Sequence, residues 1–141
     1  MASETTHRAL SVERVGPGQF AAVNSRGGRI VFGTGADEEF TPTELLLVAI
    51  GGCTAIDIDI ITTRRAEPES FEIVVDADKV RDETGNHLAN VEITYRIRFP
   101  EGEAGDAARG VLPEAVRKSH DRLCTVGRTV ELPTPIATRI G

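Results

Sequence analysis

The stretch that most constrains this chain runs from Thr41 to Asp57. Thr41 can cap a helix, Pro42 suits the first helical position where no N–H is needed, and Glu44 completes a Thr-x-x-Glu capping box. Leu45, Leu46, Leu47, Val48, Ala49 and Ile50 then leave no polar face, so this part of the helix is expected to be buried all round. Gly51 and Gly52 follow, and each costs about 0.5–1 kcal/mol against alanine inside a helix. The usual compensation is close approach of another backbone. Cys53 comes directly after them. A thiol there is either a small core filler or a reactive site, and free cysteine is among the most buried residue types.

A chain of 141 residues is expected to form one domain, 1–141, with a single core. Hydrophobic residues at 40% and charged residues at 27% are ordinary globular composition. The net charge is -6 and the basic residues are scattered, which argues against a nucleic-acid surface. The N-terminus lacks the apolar stretch of a signal peptide, and the run at 45–50 is too short to span a bilayer. A soluble, cytoplasmic protein with no membrane contact is therefore expected. Only two cysteines occur, Cys53 and Cys124, and neither has a CxxC partner, which argues against zinc. In the cytosol two distant thiols are either unrelated core residues or a redox couple.

Residues 9–15, 19–24 and 29–32 read as a three-stranded meander with turns at Gly16-Pro17-Gly18 and Ser25-Arg26-Gly27-Gly28. The helix that opens at Thr41 is expected to run for about 23 residues, turning amphipathic past Cys53 and stopping before Pro68. Residues 71–79 and 91–99 alternate as two strands around the turn Asp82 to Asn86, an antiparallel hairpin. A second helix is expected from Asp106 or from Pro113, passing through Cys124 and ending or kinking at Gly127. Ile136 to Ile140 reads as a closing strand. The order gives an α+β fold with a mainly antiparallel sheet of about six strands and two main helices. One modest sheet cannot cover a helix that is apolar all round, so a homodimer packed on Leu45 to Cys53 is expected.

Pro42-x-Glu44-Leu45-Leu46-Leu47, Gly51-Gly52-Cys53 and Leu123-Cys124-Thr125-Val126, in this order of elements, resemble the OsmC/Ohr family of thiol-dependent peroxidases. Gly51 to Asp57 is most similar to its YhfA-like branch. The resemblance implies an intertwined homodimer whose sheets wrap two central helices. It implies that Cys53 is the peroxidatic thiolate that attacks an organic hydroperoxide and becomes a sulfenic acid. Cys124 would be the resolving thiol that condenses with it to a disulfide. No bound cofactor or metal is implied, and an external dithiol or lipoyl-type reductant would restore both thiols.

A nucleophilic thiolate needs a nearby cation or donated hydrogen bonds. In the family an arginine of the N-terminal strands serves, held by the first acid of a Pro-Glu-Glu/Gln-Leu motif. Here that acid position is Thr43, Glu44 is its neighbour and fits the capping box, and Arg14 is the nearest arginine. Asp57, four residues after Cys53, would oppose ionisation of the thiol unless it caps or pairs elsewhere. His120, one turn before Cys124, either eases its deprotonation or is a solvated surface residue, and Arg128 is either a cation near the site or a surface charge. The alternative function is a noncatalytic or redox-sensing dimer that binds a small apolar ligand in its interface crevice. Acyl transfer through Cys53 would need a general base and an oxyanion hole, and no histidine is placed for that role.

Overall fold

A computed structural model describes residues 3–141. The chain divides into two compact units, one ending at Leu46 and the other spanning Leu47–Gly141. The first is the meander: β1 (Ser11–Gly16), β2 (Gln19–Val23) and β3 (Arg29–Gly33) pair antiparallel in that order. Asn24 builds the second turn, its side-chain oxygen accepting from the Arg26 and Gly28 amides at 3.0 and 2.9 Å. Phe20 and Phe32 stack across β2 and β3 with ring centroids 6.1 Å apart. The capping box forms: the Thr41 amide donates to Glu44 Oε1 at 2.8 Å and the Glu44 amide to Thr41 Oγ1 at 3.1 Å. It opens α1 (Pro42–Thr63), 22 residues long.

In the second unit β4 (Ser70–Asp82) and β5 (Gly85–Arg98) form one long antiparallel hairpin. Its turn is closed by Asp82 Oδ1, which accepts from the amide and hydroxyl of Thr84 at 2.9 and 2.6 Å. The register slips between Asp76 and Asp78, where Asn90 takes a left-handed φ of 54° and its side-chain amide donates to Asp78 Oδ2 at 2.8 Å. α2 (Glu103–Lys118), a π-helical turn (Ser119–Leu123) and α3 (Thr125–Glu131) follow. The buried stripe of α1 is Ile50, Gly51, Thr54, Ile58 and Thr62, at helical spacing. Ile58, Thr62 and Ser119 are fully enclosed. A Cβ on Gly51 would stand 2.5 Å from Val75 Cγ2, so glycine is what lets α1 lie this close to β4. The neighbour it admits is a valine side chain rather than a backbone.

Four expectations are corrected. Among the described residues the strands number five in two sheets, not about six in one, because Ile136 to Ile140 forms no strand. That segment follows Pro133 and Pro135, which have no N–H to offer a ladder, and Ile136 and Ile140 are exposed. The second helix begins at Glu103, earlier than Asp106 or Pro113, and Pro113 lies inside it. It does not pass through Cys124, which adopts an extended backbone at ψ 97° and separates the π-helical turn from α3. Finally, the stretch from Leu45 to Ile50 is not buried all round within one chain: Leu46 is 40% exposed and Val48 52%.

By length and composition α1 could cross a membrane. Thr54 argues for a core helix instead, because it is buried in the second unit and hydrogen-bonded there to Tyr95 and Ser119.

Candidate functional site

Two elements of the second unit bring its thiols together. α1 carries Cys53, which is half-buried, and the π-helical turn delivers Cys124, which is buried. Both are free thiols, and Cys53 is close enough to push the Cys124 thiol up. Cys124 is held by its whole backbone and by its sulfur. Its amide donates to the Ser119 carbonyl at 2.8 Å, which closes the π-helical turn, and its own carbonyl accepts from the Arg128 amide at 2.9 Å. Its Sγ accepts from the Gly127 amide at 3.3 Å, so a thiol caps α3 in the place usually taken by a hydroxyl or carboxylate. Burial pushes the Cys124 thiol up, the Gly127 amide pulls it down, and the neighbouring Cys53 and Asp57 push it up again.

Beside the thiols runs a line of hydroxyls that no local pattern in the sequence announces. Ser119 Oγ donates to Asp57 Oδ2 at 2.8 Å. Thr54 Oγ1 lies 2.8 Å from Ser119 Oγ and 2.8 Å from the Tyr95 hydroxyl. A serine hydroxyl has one proton, and here Asp57 takes it. Thr54 must then donate to Ser119, and Tyr95 to Thr54. The order of donation, Tyr95 to Thr54 to Ser119 to Asp57, is thus set by the carboxylate at its end. Burial pushes the Tyr95 phenol up. Asp57, expected from its spacing to oppose the Cys53 thiol, is engaged with Ser119 and acts on Cys124.

A cavity of about 720 Å³ adjoins this line. Ile50, Val91, Ile93, Val116 and Val130 give it apolar walls, while Thr54, Tyr95 and Cys124 contribute polar atoms. Of the two thiols, Cys124 is the one that lines it. His120 also lines it, with Nδ1 at 2.9 Å from Asp121 Oδ1 and Nε2 at 2.8 Å from Glu131 Oε1. The hydrogen bond to Asp121 and the charge of Glu131 raise the imidazole above its ordinary value. Arg128 stands half-buried in the last turn of the short α3, where its charge acts on Asp121. Arg14, Thr43 and Glu44 belong to the first unit and are exposed, Arg14 on β1 opposite Phe20 and Glu44 in the capping box. Among the described residues no group of three or more His, Cys, Asp or Glu side chains could hold a metal ion.

Thr54, Tyr95 and Ser119 were not foreseen. Thr54 and Ser119 are 65 positions apart and Thr54 and Tyr95 are 41 apart, and each reads as an ordinary polar residue in its own segment. The one available signal was a buried-stripe position on α1 filled by threonine next to Cys53.

This architecture recurs. A hypothetical protein of Aquifex aeolicus is 25% identical, with a TM-score of 0.72 over 92% of this chain and 90% of that one. An OsmC-like protein of unknown function from Vibrio cholerae superposes with a TM-score of 0.73 at 13% identity, covering 90% of this chain and 95% of that one. The organic hydroperoxide resistance protein OhrB of Bacillus subtilis shares the fold more loosely, at a TM-score of 0.52 and 13% identity over 86% of this chain and 90% of that one. In sequence, an uncharacterized protein of Mycobacterium tuberculosis is 27% identical over 128 residues, 90% of this chain and 91% of that one. The family model for OsmC-like proteins matches residues 35–139, a span that holds both cysteines and the hydroxyl line between them, and the chain belongs to that family.

Proposed function

We propose that this protein is a thiol-dependent peroxidase that reduces organic hydroperoxides in oxidative-stress defence. The Cys53 thiolate attacks the terminal oxygen of the hydroperoxide, the O–O bond breaks, and the alkoxide leaves and takes a proton from water as alcohol. Cys53 is left as sulfenic acid. The Cys124 thiolate then attacks the Cys53 sulfur, forms the disulfide and expels hydroxide, which leaves as water. An external dithiol or lipoyl-type reductant reopens the disulfide. The observation that carries the reading is the proximity of two free thiols, one of which, Cys124, lines a cavity of about 720 Å³ with apolar walls on one part, the space we assign to the organic group. The Bacillus subtilis neighbour, which shares the fold, is named for organic hydroperoxide resistance.

The working form we propose is a cytoplasmic homodimer of one OsmC-like domain per chain. Its support is the exposed stripe Val48, Gly52, Ile56 and Ile60 on α1, four residues apart and apolar with a glycine at its centre. A second copy seated there would cover surface that water otherwise meets. The cavity also supports a second reading, a noncatalytic dimer that binds a small apolar ligand, because Ile50, Val91, Ile93, Val116 and Val130 line it and burial pushes its thiol up.

Intact mass and thiol counting under nonreducing conditions, before and after one equivalent of an alkyl hydroperoxide, separate the two. Peroxidase chemistry requires stoichiometric conversion of both thiols to an intramolecular disulfide, a trapped sulfenic acid at Cys53 in Cys124→Ser, and no reaction in Cys53→Ser. Thiols that survive untouched over minutes sink the peroxidase and leave the ligand-binding dimer.

A further inference from the structure

We propose that Ser119 is the positioning residue that sets the Cys124 sulfur against Cys53, and that Asp57 is its anchor. This rests on the reading above only in taking Cys53 and Cys124 as a pair that closes. Ser119 is bonded in both directions. Its carbonyl accepts the Cys124 amide at 2.8 Å, and its hydroxyl donates to Asp57 at 2.8 Å while accepting from Thr54. Thr54 and Asp57 flank Cys53 on α1, one residue and one turn beyond it. One fully buried serine therefore ties the backbone of one thiol to the helix of the other.

The π-helical turn has Ser119 and Cys124 at the two ends of its closing bond, from the Cys124 amide to the Ser119 carbonyl. Cys124 leaves the turn at ψ 97°, and the Gly127 amide sets its sulfur relative to α3. The bond from Ser119 to a carboxylate on α1 sets the turn, and Cys124 with it, against the helix that carries Cys53. Tyr95, at the far end, donates to Thr54 and completes the acceptor set of the line without touching Ser119.

The step affected is closure: Cys124 gives its proton to solvent, its thiolate attacks the sulfur of a modified Cys53, the new S–S bond forms, and the group on Cys53 leaves with the electron pair. Ellman's reagent, 5,5′-dithiobis(2-nitrobenzoate), isolates this step from peroxide chemistry. The first thionitrobenzoate released reports attack by Cys53, and the second reports closure by Cys124. In Ser119→Ala the first release is expected at the wild-type rate, and the second slowed about tenfold or more, the order set by loss of one charge-assisted hydrogen bond.

Two variants at Asp57 keep the test sound should Ser119→Ala fold poorly, which a thermal melt reveals. Asn and Ala at this position remove the same charge, but only Asn keeps an oxygen for Ser119. Asp57→Asn should close at least as fast as wild type and Asp57→Ala about fivefold or more slower than Asp57→Asn. Equal closure in Asp57→Asn and Asp57→Ala, or wild-type closure in a folded Ser119→Ala, overturns the proposal. Rapid, Ser119-dependent closure with Ellman's reagent in a protein inert to alkyl hydroperoxide would uphold the positioning role and refute the peroxidase.

Discussion

The adjacent glycines of α1 should respond to alanine with opposite signs. At Gly51 a Cβ would meet Val75 Cγ2 at 2.5 Å and Ile73 Cγ2 at 3.5 Å. Val75 is β-branched and sits in mid-strand, so it cannot swing its methyl away without leaving its preferred rotamer. Overpacking of this kind costs about 1–3 kcal/mol, against a gain of about 0.5–1 kcal/mol from replacing glycine in a helix. The net expectation for Gly51→Ala is a loss of about 1 kcal/mol, or about 4 °C in Tm for a chain of this size. At Gly52 a Cβ meets nothing within 4 Å, so Gly52→Ala should stabilise the isolated fold by about 0.5–1 kcal/mol. If the exposed stripe seats a second copy, the same methyl intrudes on the interface and weakens association. Urea denaturation at several protein concentrations, with sedimentation velocity alongside, reads both effects. A Gly51→Ala protein as stable as wild type would refute the packing argument. A Gly52→Ala protein that is more stable and equally associated would refute the assignment of that stripe.

Three further outcomes follow from particular contacts. Gly105→Ala should be worse than either, losing about 3 kcal/mol or more in a thermal melt, because its Cβ would collide with the Pro100 carbonyl, which is backbone and cannot rotate aside. His120 is raised above 6.5 in the fold, first by its hydrogen bond to Asp121 and then by Glu131. Its ion pairs therefore contribute fully below pH 6.5 and are lost as pH rises through the raised value; melts across that window should show the decline, and His120→Gln should flatten it. With Cys124 buried and pushed up by that burial, iodoacetamide at about pH 8 should label Cys53 first and Cys124 about tenfold more slowly, read by peptide mass; equal labelling would contradict the environment described for Cys124.

What the sequence determined by itself is whatever depends on neighbours within a few positions. The Thr41 and Glu44 pair is a local exchange of hydrogen bonds, and it forms where its spacing places it. Alternation from Val91 to Phe99 marks β5, and Asp82 to Asn86 marks its turn, because side-chain period and turn chemistry are properties of short segments. The motifs around Cys53 and Cys124 carried the family. Tertiary structure decided the rest. Whether α1 is covered depends on what else is present, and six apolar residues in a row say only that something should cover them. The stop at Cys124 could not be read because a thiol is a rare cap, and it serves here only since Gly127 reaches its sulfur. Ser119 and Tyr95 enter the site through contacts across 62 and 41 positions, and single hydroxyls in a helix and a strand carry no periodicity that would bring them there. Hydrogen bonds between distant segments exist only once the hydrophobic face of α1 has fixed which side chains meet. That meeting is what distinguishes a serine in a helix from the serine that holds two sulfurs in register.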